Sequence, residues 1–149
     1  SSLATPPCQY GVLFYGDDQS FSYHTQVLDI DTWARVNGIQ DENLLKFSEY
    51  RTPFLENVFY NQAFDLLEKH KGGVMPDGVQ EEMSQMYAIA NCYYYWGRAV
   101  EIAEQMKESS TFRLWQEYGY PSLQTEYLEY ILDEATRDYN TLRSGESME

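Results

Sequence analysis

Basic side chains are scarce in this sequence: 10 Lys and Arg stand against 24 Asp and Glu, for a formal charge of −14. Recognition of a phosphate backbone needs a basic stripe. Residues up to Met75 hold 5 basic against 10 acidic side chains and the rest 5 against 14, so no segment supplies one, and nucleic acid is excluded as a partner. Cysteine is scarcer still. With only Cys8 and Cys92, a disulfide framework does not hold the fold, and Cys92, inside an apolar helical stretch, reads as a small buried residue. Long apolar runs are missing as well. The uncharged helical stretch over residues 83–97 is interrupted by Ser84, Gln85 and Asn91 and is shorter than the ~20 apolar residues of a bilayer span, so a direct membrane span is not expected.

The chemistry of catalysis is equally thin. His24 and His70 are the only histidines, neither has a His or Cys neighbour at zinc-site spacing, and Gly72-Gly73 lacks the Lys-Ser/Thr that completes a phosphate loop. Acid pairs such as Glu81-Glu82 and Asp133-Glu134 read as solvated helix faces. The expectation is no catalytic residue, no metal and no cofactor, in a chain that is not an enzyme by itself.

What is present is a core. Hydrophobic residues make up 43% and aromatics 16%, enough for one compact domain of this length. Residues 1–26 contain Pro6-Pro7, Gly16-Asp17-Asp18 and scattered aromatics. They read as an extended amino-terminal arm with a short strand at Val12-Leu13-Phe14-Tyr15, whose aromatics either pack back on the domain or, as the favoured reading, dock on a partner through Tyr10, Phe14 and Tyr15. Residues 27–142 read as helical and residues 143–149 as a frayed tail. Helix signals include an Asp29 or Asp31 cap before Trp33 and Val36, the Asn37-Gly38 stop, and an Asp41 cap before Leu44 and Leu45. Pro53 is placed at the start of a third helix, whose stripe is Phe54, Leu55, Val58, Phe59, Ala63, Leu66 and Leu67. His70, between Lys69 and Lys71, faces the negative end of that helix dipole.

Asp77 with Gln80 predicts a capping box for a fourth helix, striped by Val79, Met83, Met86, Tyr87, Ala90 and Tyr94. After Gly97 the chain returns through Ala99, Ile102, Ala103 and Met106, forming a helical hairpin. A short helix over residues 112–118 follows, and then a last one capped by Ser122 and buried through Leu128, Ile131, Leu132, Ala135, Tyr139 and Leu142. The fold class expected is all-α, with five to seven helices stacked as helical hairpins. Four consecutive aromatics, Tyr93 to Trp96, do not all fit one core stripe. They either brace the hairpin turn against neighbouring helices or face outward, and Tyr94, Tyr95 and Trp96, with Tyr118 and Tyr120, are the candidate protein-interface anchors.

The stretch from Met75-Pro76-Asp77 to Lys107-Glu108-Ser109 resembles the paired helices of pentatricopeptide and tetratricopeptide repeat proteins. Asp29-Ile30-Asp31-Thr32-Trp33 with Gly38-Ile39, Val74-Met75-Pro76 before the hairpin, Asn91 near its turn and the helix from Arg98 to Lys107 resemble the mitochondrial cytochrome c oxidase subunit Va family, called subunit VI in yeasts. That resemblance implies a non-catalytic subunit of a larger assembly, on the matrix side of the mitochondrial inner membrane, without haem or copper ligands and partnered by other protein subunits. A free-standing helical-repeat adaptor for a protein or peptide is the alternative. The first residue, Ser1, is compatible with removal of a transit peptide or secretory signal, or with a start inside a longer chain.

Overall fold

The computed structural model describes residues 8–71, 74–119 and 123–135. It is mainly α, with a small sheet near the amino terminus, and so not purely all-α. Strands β1 (Gln9–Tyr15) and β2 (Phe21–Val27) pair antiparallel, with Gln9 opposite Val27 and Tyr15 opposite Phe21. This hairpin occupies the segment expected as an extended arm. Its turn closes through Gly16, whose N–H donates to the Ser20 carbonyl at 2.9 Å, and Gln19 takes the left-handed conformation (φ 66°), the geometry of a three-residue hairpin loop. Asp18 braces the loop by accepting from the Ser20 N–H and hydroxyl at 3.0 and 2.6 Å.

The chain divides into two compact units between Phe54 and Leu55. Beside the hairpin, the first holds α1 (Ile30–Val36), α2 (Glu42–Leu45) and the opening turns of α3 (Phe47–Lys71). Asp29 caps α1, accepting from Thr32 N–H, and Asp41 caps α2, accepting from Asn43 and Leu44 N–H. The sequence places a helix start at Pro53; instead Pro53 sits inside α3. Its ring fixes φ near the helical value, so the chain continues through it, losing only the N–H bond to the carbonyl four residues back.

The second unit contains the rest of α3, then α4 (Val79–Tyr95), α5 (Val100–Glu108), α6 (Ser110–Tyr118) and α7 (Leu123–Ala135). Its core is formed by Ala63 and Leu67 of α3, Met83, Met86, Tyr87 and Ala90 of α4, Ala103 of α5, Phe112 and Trp115 of α6, and Leu128 and Leu132 of α7. Full burial of each large side chain here contributes about 1.5–3 kcal/mol. The expected α3 stripe proves narrower: Leu55, Ala63 and Leu67 are buried, whereas Phe54 and Val58 are exposed.

Helix α4 lies at the centre, packed on α5, α6 and α7, which explains why Ser84, Ala88, Asn91 and Cys92 are buried as well as Met83, Met86, Tyr87 and Ala90 of its predicted stripe, whose end residues Val79 and Tyr94 are not. The capping box predicted at Asp77 does not form. Gly78, left-handed at φ 82°, occupies the cap without a side-chain bond, and Gln80 instead donates its amide to the Phe64 carbonyl at 3.1 Å. At the far end of α4, Gly97 adopts φ 70°, with Gly97 N–H donating to Tyr94 O and Arg98 N–H to Tyr93 O. This double closure is a Schellman turn, and glycine meets its left-handed requirement without strain. Ser109 ends α5 and caps α6, accepting from Phe112 N–H at 3.1 Å. Lys107 of α5 pairs with Asp133 of α7 at 2.6 Å. Ser122, Tyr139 and Leu142, named above for the last helix, lie outside the described residues.

Candidate functional site

Two groups of side chains have the density that a site requires. The first belongs to the second unit, where aromatic rings form a connected series around the end of α4. Phe59 stacks on Tyr95 (centroids 5.5 Å apart) and meets Tyr87 edge-on at 6.4 Å. Tyr87 in turn lies 5.7 Å from Trp115, Tyr95 contacts Tyr94 at 6.0 Å, and Tyr94 contacts Tyr127 of α7 at 6.2 Å. Tyr93 and Trp96 form a separate pair 5.2 Å apart, with the Arg98 guanidinium over the Tyr93 ring at 5.7 Å.

Burial pushes the Tyr87, Tyr94 and Tyr127 phenols upward, Tyr127 to about 12, with neighbouring tyrosines adding to the effect at Tyr94 and Tyr127. These groups remain neutral hydroxyls across the physiological range, and their rings serve as packing surface. The Cys92 thiol, raised to about 12 by burial and then by the Glu56 charge, is an inert core group.

The second group lines a cleft of about 220 Å³ in the first unit, formed by Val27, Leu28, Asp29, Ile30, Asp31, Phe47, Ser48 and Arg51. Both carboxylates are engaged there. Asp29 Oδ1 accepts from Thr32 N–H at 3.0 Å. Asp31 accepts from Ser48 N–H at 2.9 Å and from the Ser48 hydroxyl, joining α1 to the start of α3. The Ser48 hydroxyl is the first cause that holds the Asp31 carboxyl below its usual range; for Asp29 the first cause is the Thr32 amide. The cleft is smaller than the ~300–1,000 Å³ of typical ligand pockets, and its carboxylates oppose an anionic guest. Among the described residues no group of three or more His, Cys, Asp or Glu side chains is placed to hold a metal ion. No helix among them is long and apolar enough to cross a membrane.

The expected interface residues fall into both units. Tyr10, Phe14 and Tyr15 are exposed on the hairpin, where the Tyr10 hydroxyl donates to Gln26 Oε1 at 2.6 Å and Phe14 meets His24 edge-on at 5.8 Å. Tyr94 is partly exposed, but Tyr95 and Trp96 are half-buried braces of the helix turn, and Tyr118 is half-buried against the core. Tyr120 lies outside the described residues. Sequence reasoning passes over another exposed set, Trp33 and Val36 of α1 with Tyr50 and Phe54 of α3. The signal was available in α3: Tyr50 and Phe54, four residues apart with rings 5.4 Å apart, continue to Val58 as a stripe beside the buried one.

Residues 29–138 match the family model of the C-terminal domain of cyclic nucleotide phosphodiesterase. No curated protein matches the chain. The family match overturns the resemblance to cytochrome c oxidase subunit Va and to pentatricopeptide or tetratricopeptide repeats. With it fall the functions drawn from that resemblance, a respiratory-complex subunit and a free-standing repeat adaptor. The motifs behind it were short, and an amphipathic helix, a glycine turn and an Ala- and Glu-rich return helix arise wherever two helices pack closely. The mitochondrial location rests on the same resemblance alone.

Proposed function

Since the match spans well over half of its length, the chain belongs to the family of C-terminal domains of cyclic nucleotide phosphodiesterase, and from that premise we propose that it serves such an enzyme as a protein-docking domain, not as the source of its nucleophile or general acid. The exposure of Trp33, Val36, Tyr50 and Phe54 inside the matched residues carries this reading. Aromatic side chains of this kind are the ones that anchor protein interfaces. Charge supports it: a chain of −14 repels the phosphate of a cyclic nucleotide and attracts a basic protein face. So does the cleft, which is small and lined by Asp29 and Asp31. The partner is the catalytic region of the phosphodiesterase.

The test pairs an assay with a titration. The chain alone is incubated with 3′,5′- and 2′,3′-cyclic mononucleotides, and its binding to a separately produced catalytic region is followed by calorimetry. The expected result is no turnover by the chain, with binding to the catalytic region weakened at least about tenfold by Trp33→Ala with Tyr50→Ala. Turnover by the chain alone, or binding that ignores both substitutions, overturns the reading.

A further inference from the structure

Helix α1 ends in a turn with a chemistry of its own. Gly38 N–H donates to Arg35 O at 3.3 Å and Ile39 N–H to Ala34 O at 3.0 Å, with Gly38 left-handed at φ 67°. These two bonds make a Schellman stop, whose left-handed position calls for glycine. Asn37 is the C-cap, and its side-chain Nδ2 donates to Trp33 O at 2.8 Å. An Asn-Gly pair thus closes the helix. Of the six asparagines only Asn37 precedes a glycine; the others precede Leu44, Val58, Gln62, Cys92 and Thr141.

The amide carbon of an asparagine is open to attack by the backbone nitrogen that follows it, and a side chain on the next residue hinders the approach. Gly38 carries none, and a methyl group built there would meet nothing within 4 Å, so neither its own atoms nor its surroundings screen the nitrogen. Both residues are exposed. The bond that holds Gly38 N–H is the longest of the turn, and α1 is only seven residues long. Release of its last turn is therefore a small local opening and needs no unfolding of the chain.

We propose that Asn37–Gly38 is a spontaneous modification site, where water converts the asparagine to aspartate or isoaspartate and so loosens the end of the helix that carries Trp33 and Val36. Once the turn opens, the Gly38 nitrogen gives its proton to a solvent base and bonds to Asn37 Cγ. The Cγ–Nδ2 bond breaks, Nδ2 takes up a proton and leaves as ammonia, and a succinimide joins the two residues. Water then adds to either ring carbonyl and opens it, so that the chain continues through the α-carboxyl in aspartate or through the side-chain carboxyl in isoaspartate. Nothing is oxidised or reduced. Either product undoes the stop. A carboxylate has no hydrogen to donate to Trp33 O, and its charge sits at the negative end of the helix dipole. The cation of the last turn, Arg35, already lies in the field of Asp29 and Asp31. Isoaspartate also lengthens the backbone by one methylene, which carries the Gly38 and Ile39 N–H groups off their acceptors. Trp33 and Val36 are exposed and belong to the docking surface proposed above; the consequence for docking rests on that reading, and the modification itself does not.

The full chain is aged at neutral pH and body temperature, then digested for mass spectrometry. Position 37 is expected to lose its amide well ahead of the other five asparagines, in both product forms. Asn37→Gln keeps an amide donor but closes only a larger, slower-forming ring, and should stay intact. Asn37→Asp reproduces the charge and the missing donor without ageing. Under brief trypsin treatment it should be cut after Arg35 at least about fivefold faster than the fresh wild type, because cleavage tracks the open turn, and it should bind the catalytic region at least about threefold more weakly. An Asn37 that outlasts the other asparagines, or equal cutting after Arg35 in the variant and the wild type, sinks the proposal. Full-strength binding by Asn37→Asp overturns the consequence for docking if Trp33→Ala with Tyr50→Ala still weakens binding; if those two substitutions are also without effect, it is the docking reading that has failed.

Discussion

Trp115 joins two kinds of interaction in one side chain. It is fully buried, its ring meets Tyr87, and its indole N–H donates to the Met83 carbonyl at 2.9 Å, tying α6 to α4. Trp115→Ala should cost about 3–5 kcal/mol in urea unfolding, and Trp115→Phe about 1–3 kcal/mol, because the Met83 carbonyl is left without that donor. Gly119 is a second sensitive position. A methyl group there would meet the Thr125 hydroxyl, and would lie 2.5 Å from the Trp115 carbonyl and 2.6 Å from its ring. Gly119→Ala should therefore destabilise by about 1–3 kcal/mol. Asp31 gives a pH signature. Its carboxyl is held low, first by the Ser48 hydroxyl, so its stabilisation is complete above the unfolded value of about 3.9 and disappears as pH falls through the folded one. Urea midpoints of the wild type and Asp31→Asn should differ at neutral pH and converge in acid; a gap that persists in acid would show that Asp31 acts by another route.

At the scale of elements, α3 invites a test because Pro53 lies within it, nearly two turns from its start. Pro53→Ala restores an N–H to the helical ladder and should raise the thermal midpoint, by at most about 3 kcal/mol of stability. A lowered midpoint would mean that the ring packs to more effect than the missing bond costs. The elements also show what the sequence discloses. Helices α5 and α7 were legible from their 3.6-residue stripes because each packs through one dominant face, whereas the stripe read for α4 missed Ser84, Ala88, Asn91 and Cys92, which its central position also buries. Strand β1 was read only in its second half, Val12 to Tyr15, since Tyr10, Val12 and Phe14 on one face and Leu13 and Tyr15 on the other are all apolar or aromatic, which hides a period of two. Strand β2 was missed, although Phe21, Tyr23, Thr25 and Val27 alternate with Ser22, His24 and Gln26 along it. The α4 cap was misread because Asp77 and Gly78 both suit a helix start, and only tertiary contact, Gln80 with Phe64, decides between them.

For the whole molecule the acidic excess dominates. A net charge of −14 on 149 residues opposes compaction by self-repulsion, so added monovalent salt should raise the thermal midpoint, even though ion pairs such as Arg98–Glu101 and Lys107–Asp133 are themselves screened. A midpoint that falls with salt would show that specific pairs outweigh the net charge. The family assignment was the least legible property. The residues that led toward a respiratory subunit are generic packing residues.

The three tryptophans divide the molecule optically. Trp33 stands exposed in the first unit, Trp115 is sealed in the core of the second, and Trp96 is half-buried beside Tyr93. Emission from a solvated indole lies to the red of that from a buried one, and a neutral quencher such as acrylamide reaches the first well before the second. A single spectrum thus contains two clocks. Its red edge times events in the amino-terminal unit and its blue edge those in the helical core, so the order in which the two units unfold is readable without any added label.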